Sequence, residues 1–243
     1  MKTLDHLLTT MPDPSRPLLT YYDMATGERV ELSTTTTANW VAKTSNFLVD
    51  DFEAESGTRI RIGLPSHWLR FVWLLSSWSV AATVVDRDAD IGLTGPELDA
   101  TEPIRLAASL RPFGARFLEP PVDFTDIGAE VPGHGDHFAA LDPPEPTTVA
   151  LDLGGAVRSH AELLSETRPD ARRRLVGTGS VARDADLLVA ACLGGGSLVL
   201  LASAGPADVE RVAAQEGAVI DQSDPLHSTM PSRAPSSTGS TDE

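Results

Sequence analysis

The pattern of apolar and polar residues predicts strands and helices that alternate along most of the chain. Residues 18–22 (LLTYY) and 29–32 (RVEL) are short apolar stretches on either side of a turn, which is typical of a β-hairpin. In residues 40–52, apolar side chains recur at helical spacing, and Ser33 is a suitable N-cap for that helix. Gly57 is expected to end the helix.

The next segments follow a strand–helix–strand order within about 30 residues, the length of a βαβ unit. Residues 59–64 alternate as a strand, residues 67–80 are apolar on most faces, and residues 81–85 form another apolar run. A helix that is apolar nearly all round is buried, and strands joined by such crossovers lie parallel. The pattern therefore predicts a buried helix against a mainly parallel sheet.

The middle of the chain is less regular. Residues 104–110 and 115–118 each predict a short strand, and residues 90–96 predict a strand that ends in a turn. Residues 119–146 are rich in proline and glycine, so we interpret them as a long surface connection. A connection of this length marks either a functional loop or a boundary between subdomains.

A second α/β stretch follows this connection. Ser159 and Glu162 have the spacing of a capping box at the start of a helix. Further elements are predicted in this stretch, namely strands at residues 147–153, 197–202 and 218–220 and helices at residues 184–193 and 206–217.

These elements predict an α/β fold with αβα layers and a mostly parallel sheet. Residues 1–17 form a short N-terminal segment, residues 18–146 a first α/β subdomain, and residues 147–221 a second, incomplete one. Residues 222–243 are mainly Ser, Pro, Thr and Asp with almost no apolar content, so we expect a disordered tail.

The charge excludes two classes of partner. The chain carries 35 acidic and 19 basic residues, for a formal net charge of −16, whereas nucleic acids and anionic membranes require a basic surface. Lys2 and Lys43 are the only lysines, so nearly all basic residues are arginine. Biased codon usage and adaptation to salt both remain open as explanations.

The number of cysteines and the length of the apolar runs indicate the cellular compartment. Cys192 is the only cysteine, which rules out a disulfide framework or a cysteine-based zinc site within the chain. The first residues lack the apolar core of a signal peptide, and no apolar run is long enough to span a bilayer. We therefore expect a cytoplasmic protein.

Four short segments could carry chemistry. Residues 134–137 (HGDH) contain metal-binding side chains, but a solvated loop explains them better. The glycine-rich residues 177–180 and 194–197 fit turns better than phosphate-binding loops, because neither matches a full motif. Residues 172–174 (RRR) could bind an acidic group, although a solvated surface run is the simpler interpretation.

The order of the segments resembles a known family. Residues 18–48, with TANWVA at residues 37–42, resemble the opening of the AMP-dependent synthetase (acyl-CoA synthetase) superfamily, and residues 58–86 resemble its next block. Residues 89–98 and 107–138 resemble, more specifically, a short actinobacterial family of truncated synthetase-like proteins. The resemblance implies the N-terminal αβα part of the fold of adenylate-forming enzymes.

The resemblance also locates the phosphate loop. Active members of the superfamily carry a Ser/Thr/Gly-rich loop followed by Pro-Lys-Gly, and residues 147–164 stand at that place here. Only Gly154 and Gly155 remain of the loop, no lysine follows, and Asp152 adds negative charge. Arg158 could replace the lysine charge, but it follows the glycines at a different spacing.

We therefore expect a non-catalytic, truncated homologue that acts as a binding or regulatory protein. The sequence ends before the superfamily's adenine and ribose motifs and its lysine-bearing C-terminal domain. A protein partner, a second copy of the chain, or a small acyl or nucleotide ligand would fit such a role. No cofactor is expected, although ATP or AMP at Gly154 and Gly155 stays open. The alternatives are a ligase fragment that works with a partner chain and a purely structural protein.

Overall fold

Twelve strands and six α-helices make up residues 2–221, the part of the chain that the computed structural model describes. The strands are β1 (Pro17–Asp23), β2 (Glu28–Ser33), β3 (Arg59–Ile62), β4 (Thr83–Val85), β5 (Ile91–Thr94), β6 (Ile104–Ala107), β7 (Thr125–Asp126), β8 (Val149–Leu153), β9 (Ala156–Ser159), β10 (Arg173–Val176), β11 (Ser197–Ala202) and β12 (Val219–Ile220). The helices are α1 (Thr34–Phe52), α2 (Trp68–Ser79), α3 (Ile127–Glu130), α4 (His160–Glu166), α5 (Val181–Gly194) and α6 (Pro206–Glu216).

The strands form two sheets. One has the order β12-β10-β11-β1-β2 and the other the order β7-β6-β5-β3-β4-β8-β9. Among the described residues, every strand pairing is parallel except in the hairpins β1–β2 and β8–β9. Helix α6 packs on β10 and β12, and α2 contacts strands of both sheets. The predicted layered, mostly parallel α/β fold is confirmed.

Each sheet contains strands from both sides of residue 146, where a boundary between subdomains is expected. The hairpin β1–β2 belongs to the sheet of β10, β11 and β12, because β1 pairs in parallel with β11 from Leu19↔Leu198 onward. The hairpin β8–β9 extends the other sheet through β4. Strand β1 is buried along most of its length, so it needs a neighbour on both sides. The expected tail at residues 222–243 lies outside the described residues.

Several element boundaries differ from the sequence-based expectation. Helix α1 ends at Glu53, not at Gly57, because Glu53 takes a left-handed conformation and its N–H caps the last turn. Residues 115–118 form no strand, and Ala115 makes only an isolated bridge. The expected surface connection at residues 119–146 contains β7 and α3. The capping box of Ser159 is confirmed.

Helix α2 lies at the centre of the molecule. All of its residues are buried, and it packs against α1, α5, β1, β3 and β4. The side chains of Trp68, Trp73 and Trp78 are almost completely inaccessible, as the continuous apolar pattern predicts. The described residues include no helix with the length and apolar character that crossing a bilayer would require.

One charged residue interrupts this apolar helix. The guanidinium of Arg70 donates to the Asp184 carboxylate at 2.6 Å and to the carbonyl of Gly179 at 2.7 Å. The hydroxyl of Ser66 also donates to Asp184, at 2.8 Å. The side chains of Arg70 and Asp184 are 7% and 0% exposed. Burial raises the pKa of Asp184, and the charge of Arg70 opposes that shift. The pair joins α2 to the first turn of α5.

Arg70→Met should lower the stability strongly, because it leaves the Asp184 carboxylate buried without its cation. Removing one partner of a buried ion pair costs about 3–5 kcal/mol. Urea unfolding followed by circular dichroism measures the change. The control is Arg70→Met/Asp184→Leu, which removes both charges and should recover most of the loss. A single variant within about 1 kcal/mol of the native protein would show that the pair is not structurally important.

Two buried histidines are held in the neutral form. The Nδ1 atom of His67 accepts the N–H of Leu69 at 3.2 Å, and that of His160 accepts the N–H of Leu4 at 3.1 Å. Desolvation lowers the pKa of His67 to about 3 and that of His160 to about 4, from an ordinary value of 6.5. Each histidine therefore takes up a proton more readily in the unfolded chain than in the folded one.

Stability should therefore fall as the pH drops from 6.5 toward 4. Above pH 6.5 both histidines are neutral in both states and the full stability is present. Below it, each buried histidine should cost up to about 1.4 kcal/mol per pH unit. In His67→Asn/His160→Asn, the amide oxygen can accept the same N–H without titrating, so its pH profile should be flatter. Parallel profiles for the two proteins, measured by urea unfolding, would contradict this assignment.

Candidate functional site

The two glycines of the expected phosphate loop form the turn of the β8–β9 hairpin. Leu153 pairs with Ala156, so Gly154 and Gly155 are a two-residue connection. Their φ angles are 60° and 80°, and a Cβ atom at either position would meet nothing within 4 Å. Glycine therefore serves the left-handed backbone of a tight hairpin turn here, rather than the close approach of another group.

Two carboxylates, Asp86 and Asp152, lie next to this turn, and each has an arginine beside it, since Arg87 lies 3.8 Å from Asp86. The N–H of Gly154 donates to the Asp86 carboxylate at 2.8 Å. Asp152, at the end of β8, pairs with Arg59 at 3.3 Å, and Arg59 also donates to the carbonyl of Asp88. A phosphate-binding loop offers free N–H groups and positive charge to its ligand. Here a carboxylate already accepts the N–H of Gly154.

The cations considered for this position lie elsewhere. The Nζ atom of Lys43, on α1, donates to the carbonyls of Pro132 and His134, so this lysine holds a loop in place. The guanidinium of Arg158, on β9, donates to Asp186 of α5 at 2.7 Å. Neither residue contacts the glycine turn. The charge of Arg158 therefore contributes to a different part of the molecule.

Arg158 points into a cavity of about 440 Å³ between β9, the end of α4, the start of β10 and one face of α5. The residues that line this arginine-lined cavity are Arg158, Glu166, Thr167, Arg168, Pro169, Asp170, Arg172, Arg174, Arg183, Asp186, Leu187, Ala190 and Asp221. They include five arginines and four acidic residues. The residues of the glycine turn are not among them.

Ion pairs hold the arginines of the cavity wall. Asp170 binds Arg172 at 2.8 Å and also binds Arg174. Asp221 binds Arg174 at 3.3 Å and Arg183 at 3.0 Å. The hydrogen bonds from Arg172 and Arg174 hold the pKa of Asp170 well below its usual range. Arg172 and Arg174 therefore belong to a cavity wall, which the sequence alone did not indicate, whereas Arg173 binds Glu216 at 2.6 Å.

The glycine triplet after α5 positions one wall of the cavity. A Cβ atom on Gly194 would lie 2.2 Å from the backbone of Asp170, and one on Gly196 would lie 2.3 Å from it. The N–H of Asp170 donates to the carbonyl of Ala190, and that of Ser197 to the carbonyl of Arg172. The triplet thus allows two backbone segments to approach closely, in addition to forming the expected turn.

The other candidates are structural as far as the described residues show. His134 lies 3.5 Å from Asp50, and Asn46 holds the carbonyl of His137, so the loop is tied to α1. No group of residues suited to hold a metal ion occurs within residues 2–221. Cys192 is buried, and burial raises the pKa of its thiol to about 12, so the thiol stays protonated at neutral pH.

Comparison with known proteins identifies a relative of this chain. No protein-family model matches the chain. A TIGR03089 family protein of Mycobacterium tuberculosis (strain ATCC 25618 / H37Rv) is 36% identical over 219 residues, which cover 84% of this chain and 90% of that protein.

Solved structures show the same fold at low identity. An acyl-CoA synthetase of Brucella canis superposes with a TM-score of 0.70 at 13% identity over 90% of this chain and 46% of its own. The N-terminal domain of FACL13 from Mycobacterium tuberculosis gives 0.66 at 12% identity over 90% of this chain and 62% of its own. Acetoacetyl-CoA synthetase from Streptomyces lividans gives 0.70 at 17% identity over 89% and 41%.

The chain spans less than two thirds of each of these structures. At such identities the likeness establishes the fold alone, and it confirms the resemblance found in the sequence. From its identity to the mycobacterial protein and its structural likeness to acyl-CoA synthetases, the chain belongs to the TIGR03089 family and has the fold of the N-terminal domain of adenylate-forming enzymes.

Proposed function

We propose that this chain is a non-catalytic homologue of adenylate-forming enzymes that acts as a binding or regulatory protein. The observation that carries the proposal is the hydrogen bond from the N–H of Gly154 to the Asp86 carboxylate. That carboxylate stands where a nucleotide phosphate would have to accept the same N–H. Two anions cannot share one donor without strong repulsion.

The surroundings of the turn support the same conclusion. Acyl adenylation needs positive charge or N–H donors aimed at the phosphoryl group that is transferred. Asp86 and Asp152 place carboxylates there instead, and the two nearby arginines are already engaged, Arg87 with Asp86 at 3.8 Å and Arg59 with Asp152 at 3.3 Å. Lys43 is engaged by backbone carbonyls at α1. This set of groups does not suit ATP or AMP, so the proposal includes no cofactor.

For the binding partner of the chain we propose a chemical class. A protein partner, a second copy of the chain or a small acyl ligand agrees with the fold, and nucleotide binding is the weaker alternative. The net charge of −16 disfavours nucleic acid and anionic membranes. The single cysteine, which is buried and free, supports a reducing compartment such as the cytoplasm.

ATP–pyrophosphate exchange tests this proposal directly. The purified chain should give no exchange above the level of heat-inactivated protein with any of a panel of carboxylic acids, from acetate to long-chain fatty acids. The physical reason is that the turn lacks the charge needed to stabilise the transferring phosphoryl group. An active adenylate-forming enzyme assayed in the same buffer shows that the conditions support exchange.

Asp86→Asn is the matched variant for the blocked turn. It removes the competing charge but adds no lysine, so exchange should stay at background while the fold is retained. Exchange above background by the native chain would overturn the proposal. Exchange that occurs only with a second, separately added chain would favour the ligase fragment that works with a partner.

A further inference from the structure

We propose that the arginine-lined cavity binds a phosphate group, carried by a small phosphate monoester or present as free inorganic phosphate. The cavity is separate from the glycine turn, and the proposal holds whether or not the chain catalyses adenylation.

The arginines converge from separate parts of the chain. Arg158 lies on β9, Arg168 follows α4, and Arg174 lies on β10. Arg183 lies on α5, which presents Arg183, Asp186, Leu187 and Ala190 to the cavity at helical spacing. The fold therefore gathers five of the chain's 19 basic residues around one space, although the chain as a whole is strongly acidic.

The acidic residues of the wall hold the arginines in place. Asp186 binds Arg158 through a single guanidinium nitrogen, whereas a guanidinium carries five N–H donors. Side chains that are already oriented lose less conformational entropy when they bind a ligand. Arg168 lines the cavity without a hydrogen bond or ion pair to another residue within residues 2–221.

The contribution of these ion pairs to folding stability does not account for the arrangement of the arginines. Exposed ion pairs contribute only about 0–1 kcal/mol each, and the side chains of Arg172 and Asp186 are 55% and 47% exposed. Five arginines face four acidic residues in the lining of the cavity, which leaves an excess of one positive charge. A bound anion would balance that excess.

The dimensions of the cavity favour a compact phosphate. One guanidinium group can donate two parallel N–H hydrogen bonds to the oxygens of a phosphate. Several guanidinium groups around one space therefore suit a doubly charged phosphate. A volume of about 440 Å³ lies in the range of small-ligand sites and exceeds what one inorganic ion fills. Pro169, Leu187 and Ala190 offer apolar surface to the body of a monoester.

Isothermal titration calorimetry at low salt tests the site with three probes, which are glycerol 3-phosphate, inorganic phosphate and glycerol. The two phosphates should bind with a stoichiometry of one, glycerol should not bind, and added sodium chloride should weaken binding. If glycerol 3-phosphate binds more tightly than inorganic phosphate, the site takes a phosphate monoester. If the two bind with equal affinity, free phosphate is the ligand.

Three single substitutions remove one positive charge each. Arg158→Gln should weaken phosphate binding by about tenfold, and Arg168→Gln by about threefold, as expected for the loss of charge-assisted hydrogen bonds. Asp186 is half exposed and Arg168 has no partner to lose, so both variants should fold. Arg211→Gln is the control, because Arg211 pairs with Asp208 on α6, outside the cavity, and it should change the affinity less than about twofold.

Two results would overturn the proposal. One is the absence of saturable phosphate binding up to about 10 mM, which corresponds to an interaction too weak for a specific site. The other is an equal loss of affinity in all three variants, which would indicate general electrostatic attraction. Neither result would affect the proposal that the chain does not catalyse adenylation, since pyrophosphate exchange is measured separately.

Discussion

The buried ion pair between Arg70 and Asp184 is the contact on which the arrangement of the two sheets depends. Helix α2 contacts strands of both sheets, and Arg70 is its one charged side chain. By binding Asp184, it fixes the first turn of α5 against α2. The same helix presents Arg183, Asp186, Leu187 and Ala190 to the arginine-lined cavity. The buried ion pair and the cavity wall therefore share helix α5.

The β8–β9 hairpin separates the two regions where phosphate chemistry could be sought. At its turn, Asp86 accepts the N–H of Gly154. On strand β9, Arg158 turns toward α5 and joins other arginines. The fold of the N-terminal domain of adenylate-forming enzymes is thus present, while the arginines of the cavity lie away from the turn. This distribution agrees with a binding role for the chain better than with phosphoryl transfer at the turn.

Local patterns in the sequence predicted what depends on near neighbours. The apolar run of α2 and the caps at Ser33 and Ser159 are confirmed. The pairing of β1 with β11, the contact of Arg70 with Asp184, and the cavity depend on residues more than 100 positions apart or on several segments at once. The spacing of apolar residues carries no information about such contacts, which is why it does not show that each sheet takes strands from both sides of residue 146.

A single NMR titration of the ¹⁵N-labelled chain tests the central claim most directly, namely that the turn rejects a nucleotide phosphate. The amide signals of Gly154 and Gly155 are followed while MgATP is added, with glycerol 3-phosphate in a parallel sample. Both glycine signals are expected to stay in place, while signals of Arg158 and Ala190 move with glycerol 3-phosphate. Saturable movement of the Gly154 and Gly155 signals with MgATP would show instead that the turn binds the nucleotide.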